Sequence, residues 1–345
     1  MKKYQPPLTL TPRMLEAVAT ISEHVGRLSA LHDTSLTPTL RRGNRIRTIQ
    51  ASLAIENNTL SLDQVTAVLD GRRVLGLPRE IQEVRNAFTA YEAMPGWKPE
   101  RQADLLKAHG LLMQGLIDDA GCFRSGGAGI YRGEQLLHMA PPASRLHTLM
   151  NDLLGWLKDH ALHPLIASCV FHYEFEFIHP FADGNGRMGR LWQTLILSHW
   201  RPVLAYLPVE TVIRDQQDAY YGALSASDQR SEATPFVEFM LGTLQQALVE
   251  VESPKTPTAQ VTAQVTAQVT EQVMRLLQWL AGKPAVRSSE AMEGLGLTHR
   301  QSFRQSYLAP ALDAGLIEMS APDSPRSPSQ TYRLSERGLS VLGVR

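Results

Sequence analysis

One stretch of the chain decides its interpretation: Ile178-His-Pro-Phe-Ala-Asp-Gly-Asn-Gly-Arg-Met-Gly-Arg190. It lies between two apolar runs with helical periodicity, so we expect a loop that opens onto the N-terminus of a helix. Gly184, Asn185 and Gly186 can adopt positive φ and expose backbone N–H groups. These groups, together with the positive end of the following helix, predict an anion-binding nest.

The charged side chains of this stretch suit a magnesium nucleotide. Arg187 and Arg190 are three residues apart in the first turn of the helix, where both can hold phosphate oxygens. Asp183 is a hard oxygen ligand beside the nest and suits a Mg²⁺ that bridges phosphates. His179 is the candidate base, because histidine exchanges protons near neutral pH. Together these residues predict phosphoryl or nucleotidyl transfer.

The stretch resembles the signature of the Fic family, HxFxDGNGRxxR, with every fixed position present. The resemblance implies an all-helical Fic fold and transfer of AMP from ATP, with Mg²⁺, to a Tyr, Thr or Ser hydroxyl of a target protein. His179 would deprotonate that hydroxyl, and Asp183 would hold Mg²⁺. The nest and Arg187 would bind the phosphates, and Arg190 would hold the γ-phosphate. Relatives that phosphorylate their targets have Lys after the Asn, so Gly186 favours AMP transfer.

The resemblance continues upstream of this loop. Gly121-Cys-Phe-Arg124 and a predicted hairpin around Ala128–Ala140, with its turn at Gly133-Glu134, resemble the Fic flap. Such a flap would hold the target peptide by strand addition. Ile130 and Tyr131 would then lie near the active site.

Two adjacent aromatic residues downstream, Tyr220 and Tyr221, resemble the pair at the adenine pocket of the family. Without the family context, core packing explains them equally well. Asp228 falls where many relatives have an Asn near the nucleotide, and we leave it out of the predicted site.

A second motif lies N-terminal to the loop. Ser52-Leu-Ala-Ile-Glu56-Asn57 matches the inhibitory motif of the family, [S/T]xxxE[G/N]. Ser52 and Glu56 are four residues apart, which places them on one helix face. The resemblance implies that Glu56 pairs with Arg190 and occupies the place of the γ-phosphate. In relatives of this class the same Glu also activates water to remove AMP, so we expect a bifunctional enzyme.

The charge balance excludes binding of nucleic acid through bulk charge. The 345 residues contain 34 Lys and Arg against 34 Asp and Glu, and phosphate binding needs clustered basic side chains. Cys122 and Cys169 do not make a disulfide framework, which favours a reducing compartment. Since neither a signal peptide nor an apolar run that could span a membrane is present, we expect a cytoplasmic protein without membrane contact.

Composition and periodicity divide the chain into four parts. Helical patterns dominate the first 250 residues, so the fold class is mainly α with a small hairpin. The predicted parts are an N-terminal helical region with the inhibitory helix (1–100), the Fic catalytic core (101–251), a linker (252–271) and a winged-helix α+β domain (272–345). Four TAQV-like repeats begin in the linker, which is either a partly helical connector or a partner-binding helix.

The winged-helix prediction rests on three helices followed by two strands, Leu316–Met319 and Thr331–Leu334, around a proline-rich loop. Thr298 would cap a recognition-type helix, whose side chains could reach DNA: Arg300, Gln301, Arg304 and Gln305. From Thr258 onward there are nine Lys and Arg against seven Asp and Glu, a balance of only +2. The domain therefore either docks a protein, with a homodimer as one arrangement, or binds DNA as a regulator whose Fic core senses nucleotide or modifies itself.

Two further patterns favour ordinary structural roles. Arg41, Arg42, Arg45 and Arg47 form a basic run, which is either a solvated helix face or a contact for an acidic patch on the target. The remaining histidines, among them His109, lack the spacing of a metal site and are assigned to surface or core.

Overall fold

The computed structural model of the protein describes residues 4–35, 38–132, 135–252, 271–297, 303–320 and 330–342. The chain forms two compact units, Met1–Ser253 and Pro254–Arg345. Several predicted features lie outside the described residues: the TAQV repeats up to residue 270, the Gly133-Glu134 turn, the cap at Thr298, and Arg300 and Gln301.

The first unit is built from helices and one hairpin. Its helices are α1 Pro12–Ser35, α2 Pro38–Ile55, α3 Leu62–Leu69, α4 Pro78–Ala93, α5 Gln102–Leu112, α6 Leu146–Asp159, α7 Pro164–Ile178, α8 Asn185–Trp200, α9 Val209–Asp215, α10 Gln217–Arg230 and α11 Thr234–Glu252. Strands β1 Gly129–Arg132 and β2 Gln135–Met139 pair in antiparallel fashion. The predicted mainly helical fold with a small hairpin is confirmed.

Helix α7 lies at the centre of the first unit. Its residues 165–176 and Ile178 are all buried, as expected for a predominantly apolar helix, and the buried set includes His172, Glu174 and Glu176. It packs against α6, α8 and α11. Because its neighbours hold it on all sides, its C-terminal end gives the following loop a rigid base.

The segment after α2 is shaped by local signals that the sequence contains. Asn57 has a φ of +68°, which turns the chain directly after Glu56. The side chain of Ser61 accepts from Gln64 N and that of Gln64 accepts from Ser61 N, a capping box that begins α3. Gly71, with a φ of +72°, follows its C-terminal end.

The basic run on α2 corrects one prediction. Arg45 is buried, not solvated, and its guanidinium lies over the rings of Tyr91 and Tyr206, at 4.9 and 5.2 Å from their centroids. This face of α2 packs against α4 and α9, so cation–π contact replaces hydration there. Arg42 has the expected exposed position and pairs with Asp70.

The second unit contains short helices and a three-stranded antiparallel sheet in the order β3-β5-β4. Its elements are α12 Glu271–Leu280, β3 Val286–Arg287, α13 Ser288–Gly294, a π-helical turn Arg304–Leu308 that continues into α14 Ala309–Asp313, β4 Ile317–Met319, β5 Thr331–Leu334 and α15 Glu336–Val341. Strands β4 and β5 were predicted. Strand β3 was not, because two residues are too few to produce an alternating pattern. No helix in the described ranges is long and apolar enough to cross a membrane.

Candidate active site

The loop between α7 and α8 is fixed from within. His179 follows α7 in the left-handed region, with φ +50°, and its N–H donates to Phe175 O. Phe181 is fully buried, and Asn185 bonds both sides of its backbone: Phe181 N donates to Asn185 Oδ1 at 2.9 Å, and Asn185 Nδ2 donates to Phe181 O at 2.8 Å. The Asn185 side chain therefore holds the loop in shape and is not directed at a ligand.

His109 supports the same loop and was missed in the sequence. Its Nδ1 accepts from Gly121 N at 2.9 Å, so Nε2 carries the proton and donates to Asp183 O at 3.0 Å. Burial lowers the pKa of His109, which keeps the ring neutral. The ring stacks on Phe181 with centroids 3.6 Å apart. The sequence offers no local signal for this role, because the partners lie far along the chain.

The predicted nest has a different backbone from the one expected. Gly184 has a positive φ, +83°, whereas Asn185 and Gly186 begin α8. Gly186 leaves room for two side chains: a Cβ there would collide with Glu56 Oε1 and lie 3.1 Å from Arg190 Nη1, so these side-chain ends would have to move. The first turn of α8 still presents the positive end of the helix dipole.

Arg190 makes the contact that the sequence predicted with Glu56. Its Nη2 donates to Glu56 Oε1 at 2.8 Å and to Ser52 O at 2.9 Å, and its Nε donates to Ser52 Oγ at 3.0 Å. The side chain of Arg190 is 1% exposed and that of Glu56 33%. Burial alone would lower the pKa of the Arg190 guanidinium, but the charge of Glu56 raises it overall, so Arg190 is charged.

Arg187 belongs to a separate cluster, here named the charge ring: Arg79, Glu83, Asp183 and Arg187. Arg187 lies 3.1 Å from Asp183 Oδ1 and 3.5 Å from Glu83 Oε1. Arg79 lies 3.2 Å from Asp183 Oδ2 and 3.6 Å from Glu83 Oε1. Opposite charges thus alternate around the ring. Arg187 and Arg190 therefore face different carboxylates, although the sequence placed them on similar faces.

Asp183 is the predicted magnesium ligand. Within the described ranges, no group of three or more His, Cys, Asp or Glu lies together as a metal site. A single carboxylate, 41% exposed at the start of α8, fits a Mg²⁺ that takes its other ligands from phosphates and water. Both carboxylate oxygens accept from arginines, so such a cation would share an oxygen with Arg79 or Arg187 or displace one of them.

A cleft of about 740 Å³, with the part open to solvent included, lies beside these groups. Its lining consists of Glu56, Tyr173, Glu176, Phe177, His179, Gly186, Arg190, Tyr220, Tyr221, Leu224, Ser225 and Asp228. We call it the nucleotide cleft. Asp228, which we left out of the predicted site, lines this cleft, and its carboxylate accepts from Tyr173 OH at 3.0 Å. Asp228 is eight residues after Tyr220 on α10, and this spacing could have placed both on one face.

Tyr220 is both a core residue and part of the cleft wall. It is 2% exposed, and its OH donates to His172 Nε2 at 3.1 Å, while His172 Nδ1 donates to Gln193 Oε1 at 2.7 Å. Burial lowers the pKa of His172 to about 3, so the ring is neutral and can accept that bond. Tyr221 is half-buried and meets Tyr220 edge to face at 5.3 Å.

A second cleft, of about 730 Å³, lies on the side of the hairpin. It is lined by Asp119, Arg124, Ser125, Gly126, Gly127, Ala128, Gly129, His179 and Ala182, and we call it the flap cleft. Arg124 is buried and donates to four carbonyl oxygens, those of His179 at 2.7 Å, of Gly126 and Pro141 at 2.6 Å and of Ile178 at 3.3 Å. His179 therefore lines both clefts. Ile130 and Tyr131 lie in β1, and their side chains are outside the described part of the chain.

Comparison with solved structures decides the family. The crystal structure of a Fic family protein from Desulfovibrio desulfuricans G20 is 60% identical, with a TM-score of 0.73, over 96% of this chain and 99% of that one. The chain belongs to the Fic family. Family profiles agree: the Fic/DOC family profile matches residues 99–197, and the profile of the C-terminal domain of Fic-like proteins (filamentation induced by cAMP) matches residues 271–335.

More distant Fic relatives match part of their length. Protein adenylyltransferase Fic from Drosophila grimshawi is 30% identical over 254 residues, 70% of this chain and 49% of that protein. The protein of the same name from Aedes aegypti is 27% identical over 71% of this chain and 53% of its own length. The chain thus spans about half the length of these relatives. Fic-1 from C. elegans, 22% identical with a TM-score of 0.55, shares the fold.

Proposed function

We propose that this Fic protein is a protein adenylyltransferase that transfers AMP from ATP to a Tyr, Thr or Ser hydroxyl of a target protein and of itself. The observation that carries the proposal is the position of His179, which lines both the nucleotide cleft and the flap cleft. A base between two clefts can reach a donor in one and an acceptor in the other. The relatives named protein adenylyltransferase support the reaction type.

The nucleotide cleft offers an anion site at one end and aromatic surface along its length. The start of α8 and Arg190 suit the triphosphate, because both present positive charge to the cleft. Tyr173 lies six residues before His179 on α7, roughly 9 Å away at the rise of a helix. The base of the nucleotide would therefore lie toward Tyr173, Tyr221 and Asp228.

The chemical step needs one proton acceptor near the flap cleft. The His179 imidazole would take the proton from the acceptor hydroxyl while the hydroxyl oxygen bonds to the α-phosphorus. The bond between the α-phosphorus and its bridging oxygen breaks, and pyrophosphate leaves. A Mg²⁺ at Asp183, when bound, would neutralise charge on the phosphates and the leaving group. Arg124 donates to the backbone carbonyl of His179 and so fixes the position of the backbone that carries the ring.

Glu56 would act as a brake on this step. Its carboxylate holds Arg190, so the γ-phosphate cannot pair with that guanidinium unless the ion pair opens. We name residues 52–59 the brake segment. Because Glu56 also lines the nucleotide cleft, it is placed to take a proton from water that attacks the phosphorus of bound AMP. The protein would then also remove AMP from its target, as we expected from the motif.

Replacing Glu56 tests the brake and the catalytic assignment together. Glu56→Gly should raise incorporation of label from α-labelled ATP by tenfold or more, roughly what loss of a buried charge pair predicts. Asn57→Gly is the matched control, since it adds glycine at a left-handed position and keeps the carboxylate. Adding His179→Ala to Glu56→Gly should abolish incorporation. Full incorporation by the double variant would disprove the role of His179.

A further inference from the structure

Asn58, two residues after Glu56, fastens the brake segment to α4. It is buried, and its Nδ2 donates to Glu83 Oε2 at 2.8 Å and to Glu80 O at 3.2 Å. Its Oδ1 accepts from Leu60 N at 3.1 Å. A buried amide that lost these partners would pay the full cost of desolvation, so Asn58 holds the chain after Glu56 firmly in place.

Glu83 joins this contact to the charge ring. One carboxylate oxygen accepts from Asn58, while the other lies 3.5 Å from Arg187 Nη1 and 3.6 Å from Arg79 Nε. The Glu83 side chain is 12% exposed, so little water screens these charges. Among the described residues the buried Arg187 Nε has no hydrogen-bond partner, so the carboxylates of Asp183 and Glu83 orient the guanidinium.

We propose that Glu83 is a positioning residue that links the brake segment, through Asn58, to Arg187. This link, here named the latch, is a second attachment of the segment to α8 beside the ion pair of Glu56 and Arg190. The proposal rests on the proposed function, because a latch has an effect only where Glu56 restrains transfer. Two attachments then hold the brake segment to the first turn of α8, one through Arg190 and one through Glu83 and Arg187. Contacts that share one segment are energetically coupled, so loss of either weakens the other.

Removing the Asn58 amide tests the contact between the brake segment and Glu83. Asn58→Ala alone should raise AMP incorporation by up to about tenfold, the loss expected for a hydrogen bond to a carboxylate, and by less than Glu56→Gly. In the Glu56→Gly background it should add no further increase. Asn151→Ala, at an exposed position on α6, is the control and should leave incorporation at the wild-type rate.

Removing the charge of Glu83 tests the contact between Glu83 and Arg187. Glu83→Gln keeps an acceptor for Asn58 but no longer attracts Arg187. In the Glu56→Gly background it should raise the KM for ATP by roughly three- to tenfold, with a smaller change in kcat, because Arg187 loses its orientation toward phosphate. A purely structural defect would lower kcat through loss of folded enzyme. Glu92→Gln, an exposed change on α4, should leave both constants unchanged.

A measurement that does not depend on activity separates failure of the latch from failure of the proposed function. Asn58→Ala should speed amide hydrogen exchange in residues 53–60 by about tenfold and leave exchange in α7 unchanged. If Glu56→Gly fails to raise incorporation, the brake is wrong, and exchange alone decides whether Asn58 fastens the segment. If Glu56→Gly raises incorporation but Asn58→Ala changes neither incorporation nor exchange, the latch is wrong and the brake stands. An unchanged KM in Glu83→Gln would overturn the coupling to Arg187.

Discussion

Glu56 Oε1 accepts a hydrogen bond from Arg190 Nη2 at 2.8 Å across 134 positions of the chain. The guanidinium is nearly inaccessible to solvent, and Ser52 accepts from it through both its hydroxyl and its carbonyl. Three N–H groups of the guanidinium therefore donate to Glu56 and Ser52. Under the proposed function this arginine would bind the γ-phosphate, which would require its contact with Glu56 to open.

Ser52 should contribute to the brake through its hydroxyl. Ser52→Ala removes the acceptor of Arg190 Nε and leaves that buried donor without a partner, which costs about 1 kcal/mol or more. We expect about a fivefold rise in AMP incorporation and a matching loss in the free energy of unfolding. Ser198→Ala is the control, because that hydroxyl bonds only within its own helix, at Leu195 O. Equal rates for Ser52→Ala and the wild type would contradict this role.

The effect of substituting Gly186 on the free energy of unfolding should change sign when Glu56 is removed. Ala normally stabilises a helix by about 0.5–1 kcal/mol over Gly. At residue 186 the new Cβ would collide with Glu56 Oε1, so Gly186→Ala should lower the free energy of unfolding of the wild type. In Glu56→Gly the same change should raise it.

Chemical denaturation of the four proteins in this cycle measures the coupling. Gly222→Ala on α10, where a Cβ meets open space, should stabilise both backgrounds equally. Additive effects of Gly186→Ala and Glu56→Gly would show that the carboxylate does not occupy this position.

His172 should make the protein lose stability in acid. Its pKa is lowered to about 3 by burial, which outweighs the raising effect of Gln193, while Arg190 lowers it further. The unfolded chain takes up the proton below pH 6.5 and the folded chain does not, so stability is full above that value and is lost as pH falls toward 3. The slope contributed by His172 is at most about 1.4 kcal/mol per pH unit.

Substitution of His172 isolates its contribution to the pH dependence of the free energy of unfolding. Burial also lowers the pKa values of His109, His160 and His163, which add to the slope in the same direction. His172→Asn keeps a donor for Gln193 but no longer titrates. Unfolding free energies of both proteins between pH 4 and 7 should therefore diverge as the pH rises, and parallel curves would contradict the account.

The sequence predicted those features that local patterns encode. Helix α3 is encoded by such patterns, because the capping box at Ser61 and the glycine at residue 71 mark its ends. The pair of Glu56 and Arg190 was predicted only through two family motifs, since no local rule joins residues so far apart. Strands β4 and β5 followed from alternation and turn residues.

Features that depend on tertiary packing were not predictable. Arg45 reads as a solvated residue in a basic run, and only the packing of α2 against its neighbours buries it. The charge ring contains two local i,i+4 pairs, Arg79 with Glu83 and Asp183 with Arg187, but Arg79 and Asp183 meet across 104 positions and no local pattern joins the two pairs. The sequence assigned Gly186 to a positive φ, whereas in the structure its missing side chain leaves room for the Glu56 carboxylate.

The most direct test of the central claim uses ATP labelled at one phosphorus at a time. The Glu56→Gly protein is incubated with α-labelled or γ-labelled ATP and Mg²⁺, and the label retained on protein is compared. Transfer of AMP predicts retention of the α-label, with a mass increase of one AMP on a Tyr, Thr or Ser, and no γ-label. Retention of the γ-label, or of neither, would contradict the account.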